Sequence, residues 1–298
     1  MSKEPIKIID AHHHLWCLNE VHYPWLMARG VTRFFGDPTP IQKDYLPADL
    51  KADACDFALE TSVHIQVGAA PEDSLKETRW LQFVAEEKVP GAIVAFADLR
   101  HGGVEDIIAA HAESPNFRGI RQIVGRHPVE DASHGTDSLI EDPIWRMGLR
   151  VLRDLGYSFD LQMIEAQYDR MARLLETMPE LKVAICHFAS PWDLSQDGFQ
   201  KWQKAMARFA ALPNVFMKFS GFGMFKPDWN TNDIRPYVEV SLDLFGSNRC
   251  MTGSNFPVDS LYGGYERIWN AVDEITSPLG EDDRANLFRE TARHFYRL

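Results

Sequence analysis

Cysteine is scarce: Cys17, Cys55, Cys186 and Cys250 are the four in 298 residues, far apart and without a CxxC pair. That excludes a disulfide-stapled scaffold and a CxxC metal or redox motif, and we expect the thiols to be reduced. Long hydrophobic runs are missing too. No stretch approaches the roughly 18 consecutive apolar residues of a spanning helix, so no membrane partner is expected. The N-terminal MSKEPIKIID enters an apolar strand pattern without the h-region of a secretory signal, and a cytoplasmic location is expected. Positive charge is in the minority, 31 Lys and Arg against 43 Asp and Glu for a net charge of -12. No basic cluster tracks a phosphate backbone, which argues against nucleic acid as a partner. A glycine-rich phosphate turn after the first strand is absent as well, and with it the usual mark of an open dinucleotide-binding sheet.

What is present is a repeating alternation. Short apolar, β-branched runs occur at Ile6–Asp10, Thr61–Val67, Ala92–Asp98, Gly119–Val124, Ser158–Gln162, Lys182–His187, Val215–Ser220 and Cys250–Gly253. Between them lie amphipathic segments with apolar residues three and four apart, such as Leu75–Lys88, Leu139–Gly156 and Glu165–Met178. Strands alternating with helices imply parallel strands joined by crossovers. Eight such units in this length predict a (β/α)8 TIM barrel, read as a single domain over residues 1–298. Two segments fall outside the alternation. Residues 15–47, rich in Trp, Tyr, Phe and Pro, form a candidate lid; residues 282–298 form a terminal helix, a candidate cap.

The strongest local signal is Asp10-Ala11-His12-His13-His14 at the end of the first run. Residues two apart on extended backbone point the same way, so His12 and His14 present two imidazoles to one centre and His13 faces away. His187 ends the sixth run, and in a barrel the C-terminal strand ends converge on one mouth, which draws it towards the first pair. Three histidines at one mouth suit a metal site or an acid/base site. After the last run, Gly253-Ser254-Asn255-Phe256-Pro257-Val258-Asp259 adds Asn255 and Asp259 as further candidates. Arg121, in RGIRQIV, is the cation chosen to clamp a substrate carboxylate, since a guanidinium pairs in bidentate fashion; Arg118 is the weaker choice. Lys218, Gln162 and Gln66 occupy other strand ends as candidate substrate-binding groups. His22, His64 and His127 read as structural or peripheral, and Trp16, Tyr23, Trp25 and Phe34 as a pocket wall.

Taken in order, DAHHHLW, RGIRQIV, ICHFASP, KFSG, GSNFPVDSLYGGYERIW and ARHFYRL resemble the amidohydrolase superfamily. More narrowly, they are similar to its lactonase branch, which includes 2-pyrone-4,6-dicarboxylate lactonase and L-fuconolactonase-like sugar lactonases. The resemblance spans nearly the whole chain. It implies the barrel, hydrolysis of a small carboxylate or sugar lactone, and matching roles for His12, His14 and His187, which are the metal ligands if a metal is bound. Asn255 stands where many relatives carry an aspartate that acts as base or ligand. An amide is no base near neutral pH and a poorer ligand for a transition metal than a carboxylate. Either the base role has moved, with Asp259 and His187 the candidates, or the chemistry differs, and the expectation is either no required cofactor or one weakly bound divalent metal, zinc or manganese. The expected partner is a small anionic or hydroxylated lactone, and homo-oligomer formation is left open. Two other readings stay open: metal-dependent, non-oxidative decarboxylation of an aromatic acid, and a catalytically silent barrel that binds a ligand.

Overall fold

The structure, a computed structural model, describes residues 4–85, 88–128 and 136–298. Eight parallel strands follow one another around the sheet in chain order: β1 (Lys7–His13), β2 (Ala58–Ile65), β3 (Ala92–Ala95), β4 (Phe117–Ile120), β5 (Ser158–Leu161), β6 (Val183–Ile185), β7 (Val215–Phe219) and β8 (Cys250–Thr252). Helices follow β2 to β8 over Ser74–Val84, Val104–Ala112, Pro143–Asp154, Tyr168–Leu175, Gln196–Ala210, Thr231–Phe245 and Glu266–Ile275. This is the predicted TIM barrel. The end of the helix expected over 75–88 reaches residues 86–87, which lie outside the described residues.

Local chemistry explains where these elements begin. Asp142 accepts from the backbone N–H groups of Ile144 (2.8 Å) and Trp145 (3.4 Å), and Pro143 takes the first helical position, where no N–H is needed. Asn230 and Asp233 form a reciprocal capping box at Thr231–Phe245. The strands are buried along most of their length, because one face packs on the helices and the other fills the barrel.

The seam between β8 and β1 is closed by side-chain and backbone bonds beyond the strand ends. Asn255 N–H donates to His12 O and His14 N–H to Phe256 O, both at 2.7 Å. The Asp10 carboxylate accepts from Ser254 N (2.9 Å), Ser254 Oγ (2.5 Å) and Tyr265 Oη (2.9 Å). Gly253 is required here: a Cβ would lie 2.6 Å from the backbone nitrogen and Cβ of His12.

The predicted terminal helix is a run of three segments, Glu281–Ala285, a π turn at Asn286–Glu290 and Thr291–Tyr296. It stops the far end of the barrel, where Phe295 packs on Phe216 at 4.8 Å and Tyr296 Oη donates to Asp160 Oδ1 at 2.6 Å. Residues 15–47 fold as a wall across the opposite mouth. Trp16 and Tyr45 exchange two backbone bonds of 3.0 Å, and the indoles of Trp16 and Trp25 donate to Lys43 O and Val67 O at 2.6 Å each. Among the described residues no helix is long and apolar enough to cross a membrane.

Candidate active site

The site residues stand just past the strand ends. Gln66 is one residue beyond β2, Arg121 beyond β4, Gln162 beyond β5 and Ser220 beyond β7; His187 is two beyond β6 and Asn255 three beyond β8. Together with His14 they face, or support, a cavity of about 680 Å3, within the roughly 300–1,000 Å3 of small-molecule sites. Trp16, Trp25, Phe34 and Phe35 from the wall segment line its sides. Tyr23, expected in that wall, is buried beneath it.

The histidines converge as predicted. The ring centroids of His12 and His14 are 5.2 Å apart and those of His12 and His187 4.4 Å. His13 turns away to bond Ser62 Oγ at 2.8 Å. His64, read as structural or peripheral, is buried behind this group and accepts from Leu15 N at 3.0 Å. Burial holds all of these rings neutral: it pushes His13 and His14 down to about 3, and His12, His64 and His187 well below 6.5.

His187 opens a turn of unusual backbone. His187, Phe188, Ala189 and Ser190 have φ of 56, 52, 62 and 59°, a left-handed conformation costing on the order of 1–2 kcal/mol per non-glycine residue. Its surroundings hold it there. Trp202 Nε1 donates to Phe188 O and Tyr168 Oη to Ala189 O, both at 2.7 Å, while the Phe188 ring stacks on Phe219 at 5.1 Å. The strain fixes the His187 ring against Ser220, whose Oγ lies 2.9 Å from Nδ1, and leaves Nε2 for the cavity.

Two candidates are corrected. Lys218 was expected at a strand end, but it lies inside β7, one turn of the pleat too deep to reach a ligand. It is fully buried, with Nζ 2.5 Å from Asp160 Oδ1, 2.9 Å from Ala11 O and 5.0 Å from the Tyr296 ring centre. Asp259 stands behind Asn255 rather than in the cavity wall, its Oδ1 accepting from Asn255 Nδ2 at 2.7 Å. Burial raises its carboxyl to about 7. Its contact orients the amide so that Asn255 Oδ1 points at His14. Arg118, the weaker cation, lies at the far end and donates to Tyr296 O at 2.7 Å.

Arg121 is where it was expected. Buried in the cavity floor, it donates to Gln66 O (2.6 Å) and Gln162 Oε1 (3.3 Å), has no partner at Nε, and makes no ion pair with a carboxylate among the described residues. The sequence reading missed Arg33, Arg100, Arg126 and Gln122, which also line the cavity. Arg126 had a signal, five residues after Arg121 in the same loop.

A cation bound at this cluster would find neutral donors. His14 Nδ1 lies 2.8 Å from Ile65 O and Nε2 3.3 Å from Asn255 Oδ1, both acceptors. A neutral ring can donate to one of them, and a proton on Nδ1 leaves two lone pairs facing each other, the arrangement a metal ion resolves. Both nitrogens of buried His12 lack a partner. The donor set is neutral throughout. Among the described residues no three His, Cys, Asp or Glu side chains form a ready metal cage.

Parallel barrel, histidine cluster at the C-terminal strand ends and an arginine in the floor together define a (β/α)8 enzyme. The sequence profile described as amidohydrolase matches residues 9–298, and the chain belongs to that family. It is 39% identical to the uncharacterized protein y4mH of Sinorhizobium fredii, over 98% of this chain and 99% of that one. It is 30% identical to an L-fucono-1,5-lactonase of Burkholderia ambifaria, covering 97% and 95%. Among solved structures, an amidohydrolase of Burkholderia multivorans with bound zinc superposes with a TM-score of 0.81 at 25% identity, covering 98% and 99%.

Proposed function

We infer that the protein hydrolyses a small lactone bearing an acidic group. The observation that carries this is Arg121: a buried guanidinium without a carboxylate ion pair among the described residues, in the floor of a cavity that His14 and His187 also line. A buried cation lacking a counter-ion is costly, and a ligand carboxylate supplies one. The lactonase relatives support the ester chemistry.

The reaction needs a proton acceptor, a stabilised oxyanion and a donor to the leaving oxygen. With Nδ1 donating to Ser220, His187 Nε2 takes a proton from the attacking water as its oxygen bonds to the ester carbon. The resulting oxyanion forms in the positive field of Arg121. When the ring C–O bond breaks, His187 returns the proton to the departing oxygen. Asn255, held by Asp259, and His14 orient the carbonyl. A divalent ion held by His12, His14 and Asn255 would polarise that carbonyl.

Substitution of Arg121 by Lys tests the anchor. It keeps the charge and loses the fork, so KM for an acid-bearing lactone should rise about 10- to 100-fold with a smaller change in kcat. Unchanged kinetics on such a substrate would remove Arg121 from the role. The neutral donor set predicts weak metal binding: activity should survive exhaustive chelation, and Asn255→Asp should raise zinc or manganese affinity by supplying an anionic ligand. Equilibrium dialysis of both forms checks this, and a stoichiometric, essential metal in the unaltered protein would overturn it.

A further inference from the structure

Lys218 and Asp160 are charged, fully buried inside the barrel and take no part in the proposed reaction. A buried ion pair is weak evidence for stability, since well-packed neutral groups often serve as well, so its presence asks for another role. The place where it acts is β1. Asp10 of that strand lies opposite Ser62 of β2 and His13 opposite His64, so three steps on β1 span two on β2. The strand therefore carries a bulge of one extra residue at Ala11–His12.

That bulge decides which histidines face the site. Ile9 and Ala11 belong to the apolar interior of the barrel, with Val63, Ile65 and Tyr296, while Asp10 points outward to Ser254 and Tyr265. Regular alternation would turn His13 inward next and leave His12 and His14 outward with Asp10. Instead His12 follows Ala11 inward, His13 turns to Ser62, and His14 joins His12. The backbone groups at the extra residue are met from outside the β1–β2 ladder. His12 N–H donates to Asp10 Oδ1 at 3.1 Å, His12 O accepts from Asn255 N–H at 2.7 Å, and Ala11 O accepts from Lys218 Nζ at 2.9 Å.

Lys218 is itself fixed. Its Nζ lies 2.5 Å from Asp160 Oδ1, the same oxygen accepts from Tyr296 Oη at 2.6 Å, and the Tyr296 ring centre is 5.0 Å from the ammonium. Arg118 of β4 holds Tyr296 in turn, donating Nε to its carbonyl at 2.7 Å. A line of contacts thus runs from the C-terminal segment through β5 and β7 to the end of β1. We propose that Lys218, Asp160 and Tyr296 are positioning residues: by gripping the Ala11 carbonyl they keep the bulge, and with it the inward aim of His12 and His14. This rests on the histidine cluster being the working centre of the lactonase reading, and it makes the C-terminal segment a support of that centre as well as a plug.

The double variant K218M/D160N tests this. It removes both charges together, so neither is left buried alone, and it takes away the donor to Ala11 O. It should melt close to the parent. In its crystal structure the spacing of the His12 and His187 ring centroids, 4.4 Å in the unaltered protein, should change by about 1 Å or more. With it, kcat for an acid-bearing lactone should fall about 10- to 100-fold and KM change by less than about threefold, because such a misplacement removes contacts made in the transition state. A variant that keeps both ring spacing and kcat overturns the proposal, and so does a loss of kcat with the rings in place. Should the double variant fail to fold, Tyr296→Phe, which removes one hydroxyl, carries the same test. A displaced His12 ring with kcat lowered about three- to tenfold upholds the positioning role, and an unchanged site overturns it. Ring spacing is read without turnover, so a protein that hydrolyses no lactone overturns the lactonase reading while the spacing still decides this one.

Discussion

Replacing His187 with Asn should reduce kcat for an acid-bearing lactone by about 10²- to 10⁴-fold, the usual worth of a positioned proton acceptor, with KM changed little. Asparagine suits the site for this purpose. It tolerates the left-handed backbone that His187 adopts at φ 56°, and its amide can still meet Ser220 Oγ, so the turn from 187 to 190 is retained. What it lacks is a lone pair that accepts a proton near neutral pH. Steady-state kinetics with a melting curve as the folding control decides the matter. A variant that melts like the parent and keeps more than a tenth of its rate would show that another group carries the proton.

The second large effect is on stability in mild acid. His12, His13, His14, His64, His111 and His187 are held neutral by burial, with His13 and His14 near 3, His111 near 4 and the others well below 6.5. The unfolded chain protonates them below 6.5, so the stability they contribute is complete above that pH and is lost as pH falls. Three carboxyls act in the other direction. Burial raises Asp10 to about 6 and Glu77 and Asp259 to about 7. In the folded state they hold protons that the unfolded chain releases above 3.8 or 4.5, so their contribution is present at low pH and lost as pH rises through 6 to 7. Near pH 5.5, six histidines against three carboxyls leave about three protons taken up on unfolding, a slope of about 4 kcal/mol per pH unit. Urea midpoints should therefore drop steeply from pH 6 to pH 5. A flat profile across that interval would contradict the neutral, buried state of the histidine cluster.

Strand order and the meeting of His12, His14 and His187 could be read from the sequence because both depend on period. β-branched runs recur at barrel spacing, and alternate residues on a strand share a face. The errors concern depth and surroundings, which period does not encode. β7 ends at Phe219, so Lys218 points into the barrel, where Asp160 and Tyr296 meet it from strands and helices distant in sequence. Asp259 looked like a free carboxylate after a strand, yet the chain turns at residues 258–261 and sets it behind Asn255. Arg33, Arg100 and Arg126 were missed because loops, not strand ends, carry them to the cavity. The left-handed turn after β6 carries no glycine to announce it.

The seam between β1 and β8 also shapes how the protein acquires activity. Asp10 reaches Ser254 and Tyr265 across 244 and 255 positions, and His14 reaches Asn255 across 241. Such pairings have among the highest loop-closure costs the chain offers and form late in folding. Because the proposed site residues His14 and Asn255 straddle that junction, species lacking it are expected to have strands and helices but no working centre. Recovery of catalysis during refolding is thus a clock for ring closure, and fragments comprising half the barrel stay inert until their complement joins them.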